Sequence, residues 1–295
     1  MPARLSLYFP QQPVKVFLLD EQASYTLGRD PHCQICIEDG SVSRQHARFL
    51  GAGRGWTLED LGSKNATTVN GEAITRAHID GDRWLTFGQL NARFQILGQQ
   101  QLQEQQGREA ARWQACARYG RQLNGEPDLQ RLLAQVLEAM VGLADTDRAF
   151  ILLKEPGGEL AIRAVLGVSP QALLSPDFVG SRSAVNLVLE GGEALVTSDS
   201  QAHGYLGQQP SVQLKAIRAL ACLPLDYGDE RLGVIYTDSL AEGKAITELD
   251  LAILEAMANN AAMAIVAAML RADLEALSGR SARAPLPSVL AWSRH

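Results

Sequence analysis

The stretch SVSRQHARF, residues 41–49, sets a serine, an arginine and a histidine within four residues and then runs into an apolar strand pattern. Two chemistries fit such a cluster: a nucleophile with its base, or a group of hydrogen-bond donors at the mouth of a strand. A serine hydrolase also needs a buried acid and an oxyanion hole. The neighbouring segments GAGRG (51–55) and DLGSKN (60–65) offer only loop residues. Ser43 therefore reads as a donor, and no catalytic residue is expected.

Working outward, the first 97 residues read as short strands separated by Gly, Asp, Asn and Pro clusters: KVFLL (15–19), SYTLG (24–28), QICIE (34–38), HARFLG (46–51), GWTLED (55–60), DRWLTFG (82–88) and NARFQIL (91–97). Such spacing predicts an all-β sandwich or barrel. The polar residues fall at strand ends. Gly28 and Arg29 close one strand, Ser43, Arg44 and His46 precede another, and DLGSKNATTVNG (60–71) follows a third.

In order and spacing these three motifs resemble the forkhead-associated (FHA) domain, a phosphothreonine-reading β-sandwich, over roughly residues 4–97. The resemblance implies that Arg29 and Ser43 bind phosphate, that Arg44 and Lys64 flank it, and that Asn65 holds the peptide backbone. It gives Gly28, His46, Asn70 and Gly71 structural roles, His46 tying the loops together. The chemistry is consistent: a phosphate brings nearly two negative charges and three acceptor oxygens, so its site wants guanidinium, hydroxyl and amide donors on loops of a rigid scaffold. Two positions depart from the family pattern. Lys64 stands where threonine is frequent, and a lysine still meets a phosphate as a point charge. Ala66 stands where glycine is usual, which is unfavourable if that loop needs a positive φ.

From Gln99 to Asn124 the text turns to Gln, Glu, Arg and Ala, with Ala110, Trp113, Ala117, Gly120 and Leu123 at helical spacing. Beyond this seam comes a helix behind Asp128, then strands DRAFILLK (147–154) and ELAIRAVLG (159–167). A mixed stretch leads to strands ALACLPLDY (219–227) and RLGVIYTDS (231–239), and a long last helix follows Thr247. The pattern is α+β with an antiparallel sheet. It resembles the GAF domain, a small sensor module, from about Leu129 to Ala272. The segment TDSLAEGKAITELD (237–250) lacks the Asn-Lys pair and phenylalanine of the cyclic-nucleotide binders. No cofactor is expected, and the GAF ligand is open. A GAF pocket would draw on Phe178, Asp199, His203, Tyr205 and Arg218, although a lone His203 beside Gly204 is more often a solvated loop residue and Phe178 and Tyr205 more often core or lid packing. Many GAF domains serve as dimerisation modules. Leu254, Met257, Ala261, Ile265 and Ala268 form an apolar stripe that either packs on its own sheet or, with the seam helix, builds a parallel two-fold bundle.

Composition bounds the rest. With 46% hydrophobic residues, 20% charged residues and a net charge of −6, the chain is globular and has no general grip on nucleic acid or anionic lipid. Four cysteines make no disulfide framework, and the single pair Cys33 and Cys36 falls short of a zinc site, so no metal is expected. The opening MPARLSLYFPQQ lacks the apolar core of a secretion signal, and Ala261–Leu270 is shorter than the ~20 residues that span a bilayer. A cytoplasmic protein without membrane insertion is expected.

The organisation expected is multidomain: a β-sandwich over 1–98, a helical linker over 99–124, an α+β antiparallel-sheet domain over 125–277 and a flexible tail over 278–295. The function it implies is a non-enzymatic signalling regulator or adaptor, homodimeric, whose partner is a phosphothreonine-containing protein such as a Ser/Thr kinase or its substrate. Two alternatives stand beside it: a small-molecule-sensing regulator, or the N-terminal regulatory part of an enhancer-dependent transcription activator.

Overall fold

The computed structural model describes residues 1–9, 12–52, 55–155, 157–169, 172–173, 179–198, 219–241, 244–278 and 290–292. The chain divides into two units, Met1–Phe9 with Val14–Glu109 and Pro10–Pro13 with Ala110–His295.

The first unit is a sandwich of two sheets. One has the order β2-β1-β11-β10-β7-β8, from β1 (Ala3–Tyr8), β2 (Lys15–Leu19), β7 (Thr67–Val69), β8 (Glu72–Ile74), β10 (Arg83–Phe87) and β11 (Leu90–Ile96). The other has the order β4-β3-β5-β6-β9, from β3 (Ser24–Gly28), β4 (Ile35–Cys36), β5 (Ala47–Ala52), β6 (Gly55–Asp60) and β9 (Arg76–Ile79). Alternation decides which side chains turn inward: Leu85 and Phe87 on β10, and Leu90, Ala92 and Phe94 on β11, are buried while their neighbours are not. Phe49 from one sheet stacks on Phe94 from the other at 5.6 Å, and Trp56 meets Phe94 edge-on. Full burial of such a side chain contributes about 1.5–3 kcal/mol, so these rings hold the two layers together.

Register sets where the loops emerge. Leu27 pairs with Ala47, and Ala47 with Asp60. The ends of β3 and β6 and the start of β5 therefore lie side by side, and the segments after Gly28, before Ala47 and after Asp60 all leave from one end of the sheet.

The second unit has one mixed-length antiparallel sheet with the order β14-β15-β16-β12-β13-β17. Its strands are β12 (Arg148–Lys154), β13 (Leu160–Leu166), β14 (Leu195–Ser198), β15 (Ala219–Tyr227), β16 (Glu230–Ser239) and β17 (Leu290–Trp292). Helices α2 (Leu129–Ala144), α3 (Val179–Gly191) and α4 (Glu248–Leu277) complete it, together with the part of α1 (Gln99–Leu123) from Ala110 onward. Asp128 caps α2, its side chain accepting the Arg131 N–H at 2.9 Å. Thr247 and Asp250 cap α4 reciprocally, each side chain accepting the other's N–H.

The sheet separates two apolar cores. One lies under α2 and α4 and is built from Leu133, Leu137, Ile151, Leu223, Met257 and Ile265 among others. The second, against α3, holds Phe150, Leu152, Val185, Val188, Val234 and Tyr236. Beside the second core, Asp238 is fully buried, accepting from Arg148 Nε at 2.6 Å and from Tyr236 OH at 2.8 Å.

Two expectations change here. Leu254, Met257, Ala261, Ile265 and Ala268 are all buried in the unit's own core, so this stripe packs inside the chain and builds no two-fold bundle. On α1 the buried positions are Cys116, Gly120 and Leu123, while Ala110, Trp113 and Ala117 are exposed. Gly120 permits the approach of α4: a Cβ there would meet Asn260 Nδ2 at 2.9 Å, and about two turns earlier on α1 Arg112 pairs with Asp250. The tail also departs from expectation, because Leu290–Trp292 forms a strand on the β13 edge. By length and composition the Glu248–Glu275 stretch could cross a membrane, but half of its apolar window is buried within the protein.

Candidate functional site

Three loops meet at the end of the sandwich, and most of the bonds that join them involve backbone. Arg29 N–H donates to Ser43 O, Asp30 N–H to Arg44 O and His46 N–H to Leu27 O, at 3.0, 3.0 and 2.8 Å. These bonds zip the turn after β3 to the segment before β5. Gly28 is required by that closeness, since a Cβ would lie 2.1 Å from Arg44 O. Cys33, nearly buried, adds a thiol donor to the same Arg44 carbonyl at 3.3 Å, and burial with the Asp30 charge pushes that thiol's pKa up. Cys36 is half-buried, and among the described residues no group of three or more His, Cys, Asp and Glu could hold a metal.

His46 is the hub. Its ring is fully buried; Nδ1 accepts the Ser43 N–H at 3.1 Å, and Nε2 lies 3.1 Å from Ala66 O. A ring nitrogen that accepts carries no proton, so the neutral Nε2–H tautomer fits both bonds. Burial lowers its pKa, with the Ala66 bond and the Asp60 charge opposing only in part.

The third loop, 61–66, is organised by Asp60. Its carboxylate accepts from Gly62 N, Ser63 N, Ser63 Oγ and Thr67 Oγ1 at 2.6–2.9 Å. Burial raises its pKa, but these bonds outweigh burial and hold it below its ordinary value. The loop then crosses to its neighbours: Lys64 N–H donates to Ser43 Oγ at 3.0 Å, and Asn65 Nδ2 donates to Ser41 O at 2.8 Å. Ser41 is itself fixed by Asp39 and accepts from Gln89 N–H.

The structure thus brings together the predicted residues Arg29, Ser43, Arg44, Lys64 and Asn65 on adjoining loops; Arg29, Arg44, Lys64 and Asn65 are exposed and Ser43 is half-buried. Because Ser43 Oγ accepts the Lys64 N–H and sits in loops with no acid–base relay to it, its hydroxyl hydrogen is left to donate. Asn70 and Gly71, with φ of 51° and 88°, turn the β7–β8 hairpin, and Asn70 Oδ1 accepts the Trp84 N–H. Ala66 has a φ of 58°, so the loop does take the conformation that its usual glycine favours. Sequence reasoning passed over Asp60, Ser41 and Asp39; the Asp-Leu-Gly order at 60–62 was an available signal for a side-chain-capped turn. Phe178, Asp199, His203, Tyr205 and Arg218 lie outside the described residues.

Comparison with known proteins agrees with this architecture. The FHA domain model matches residues 25–88 and the GAF domain model residues 128–265. The chain carries an FHA domain followed by a GAF domain, both regulatory modules. Its sandwich is 43% identical over 67 residues to the glycogen accumulation regulator GarA of Mycolicibacterium smegmatis. That match covers 22% of this chain and spans 42% of the relative's length. Among solved structures, the FHA domain of CT664 from Chlamydia trachomatis shares 28% identity at a TM-score of 0.32, covering 33% of this chain and 100% of that one. The GAF domain of a Coxiella burnetii phosphoenolpyruvate-protein phosphotransferase shares 16% identity at a TM-score of 0.45, covering 56% and 98%.

Proposed function

We propose that this protein is a non-enzymatic, cytoplasmic signalling regulator whose sandwich binds phosphothreonine peptides. The observation that carries the reading is the bond from Lys64 N–H to Ser43 Oγ. It joins the loop that bears Lys64 and Asn65 to the segment that bears Ser43 and Arg44, to which Arg29 is tied in turn by its own backbone, and it leaves the serine hydroxyl to donate to an anion. Arg29 and Ser43 take the phosphate, Arg44 and Lys64 add charge beside it, and Asn65 holds the peptide backbone by giving up its bond to Ser41. The partner is a phosphothreonine-containing protein, such as a Ser/Thr kinase or its substrate. Titration with one peptide in phosphothreonine, phosphoserine and unphosphorylated forms tests this; binding should follow that order, and equal binding of all three would overturn it.

The GAF unit serves this regulator as a dimerisation module, through a different face from the one expected. Met263, Leu270, Leu274 and Leu277 are 49%, 57%, 66% and 86% exposed. With exposed Ala267 they recur at spacings of 4, 3, 4 and 3 residues, the seam pattern of paired helices. Leu274→Glu, on a surface position, should halve the mass seen by light scattering without changing the melting temperature. A wild-type chain at about 32 kDa over a concentration series would refute the dimer.

A further inference from the structure

The tail strand β17 occupies a place that the rest of the sheet leaves open. Leu160 pairs with Trp292, Ala161 with Ala291 and Ile162 with Leu290, antiparallel, on the side of β13 away from β12. Without that segment β13 is an edge strand, presenting a row of backbone donors and acceptors to any extended chain. The part of β13 that the tail pairs, Leu160–Ile162, is buried, whereas Ala164–Leu166 beyond it are half-buried.

The pairing is short. Three residues are at the lower limit of strand length, and twelve residues, 278–289, separate them from the end of α4. Regions with few cooperative contacts open at a small fraction of the global unfolding free energy. In sequence the strand follows Ala-Pro-Leu-Pro (284–287), and residues 278–295 contain three arginines and no acid. Such a segment is composed as a linear motif rather than as the continuation of a helix.

The geometry points to the β13 edge as a strand-docking site for an extended peptide, with the chain's own Leu290–Trp292 as its tethered occupant. The partner it fits is an extended segment that adds to the sheet by main-chain pairing, as the tail does. The tail occupies the edge through its main chain, and it competes with the partner from within the molecule. A short tether supplies an effective concentration in the millimolar range, so the intact chain admits a free peptide poorly.

The test uses a fluorescein-labelled peptide of residues 285–295 against three proteins: the full chain, a chain ending at Ala284, and the full-length double variant Leu290→Pro/Ala291→Pro. Along an antiparallel strand successive N–H groups point alternately towards and away from a given neighbour, so two consecutive prolines remove one inter-strand donor whichever faces β13. Fluorescence anisotropy should show the truncated and double-proline chains binding the peptide at least about tenfold more tightly than the full chain. A peptide with prolines at 290 and 291 should bind none of them. Equal affinity for all three proteins, or no binding by a folded truncated chain, overturns the proposal. Loss of the GAF unit's melting transition in both variants also overturns it, because the strand would then be an integral part of the domain. Light scattering closes the remaining route: a mass that halves on truncation would mean that the tail is exchanged between two copies, against the tethered arrangement.

Discussion

In the sandwich the charged groups of the candidate site, Arg29, Arg44 and Lys64, stand exposed on loops whose ties run largely through backbone atoms. In the GAF unit the corresponding polar chemistry is inside: Asp238 is fully buried, and Arg148, 15% exposed, is its partner. The difference separates two uses of charge. An exposed cation on a tied loop acts on what arrives from outside, whereas a buried ion pair acts on whether the domain stays folded.

The largest expected effect lies in the second class. Asp238→Ala removes the acceptor of both Arg148 and Tyr236 and leaves a buried guanidinium without its carboxylate, a change that costs about 3–5 kcal/mol. Urea unfolding followed by circular dichroism should show the GAF transition shifted or absent while the sandwich transition stays in place. Arg29→Ala tests the opposite class. Loss of a charge-assisted hydrogen bond worth about 1.5–3 kcal/mol should weaken phosphothreonine-peptide binding roughly 10- to 150-fold. Stability should move by less than about 0.5 kcal/mol. A large drop in melting temperature for Arg29→Ala would erase the contrast between the two units.

His46 breaks the simple division, being a titratable group buried in the sandwich. Its folded pKa is below the unfolded value of about 6.5, so the unfolded state binds more protons as pH falls. The stability it contributes is complete above about pH 6.5 and is lost as pH falls from there through the folded pKa, by up to about 1.4 kcal/mol per pH unit. The sandwich transition midpoint measured from pH 7.5 to 5 should fall accordingly; a flat profile would mean that folding leaves the ring's pKa unshifted, and a rise that the folded ring is held charged.

The smallest effect belongs to Ala66. Its φ of 58° places a Cβ in the left-handed region, at a strain of about 1–2 kcal/mol. Glycine relieves that strain but adds about 0.4–1 kcal/mol of unfolded-state freedom. Ala66→Gly should therefore stabilise the sandwich by only about 0.5–1 kcal/mol, visible as a small rise in melting temperature.

Sequence was most legible where side-chain pattern and backbone conformation coincide. Strands such as Gly55–Asp60 and Arg148–Lys154, and caps such as Asp128 and Thr247, were readable because alternation and capping are local. The strands Thr67–Val69, Glu72–Ile74 and Arg76–Ile79 were not, since three or four residues between turns carry too little periodicity. Helix α3 was lost in a stretch without a clear period. The stripe from Leu254 to Ala268 was correctly seen as apolar, but the choice between its own sheet and a second helix stayed open, because periodicity identifies a face and says nothing of what covers it. In the candidate site, Arg29, Ser43 and His46 were singled out from motif order, while Asp60 and Ser41 were passed over because their hydrogen bonds hold other loops.

The Lys64–Ser43 bond has a consequence in time as well as in space. Loops already joined by Ser43, His46 and Asp60 need no backbone rearrangement to receive a peptide, only the turn of the Asn65 side chain away from Ser41. Encounter should then proceed at an ordinary docking rate of about 10⁵–10⁷ M⁻¹s⁻¹, with variants at Arg29 acting chiefly on the lifetime of the complex. A regulator built so would respond to phosphorylation as fast as its partner can diffuse to it, and its signal would last as long as the phosphate stays held.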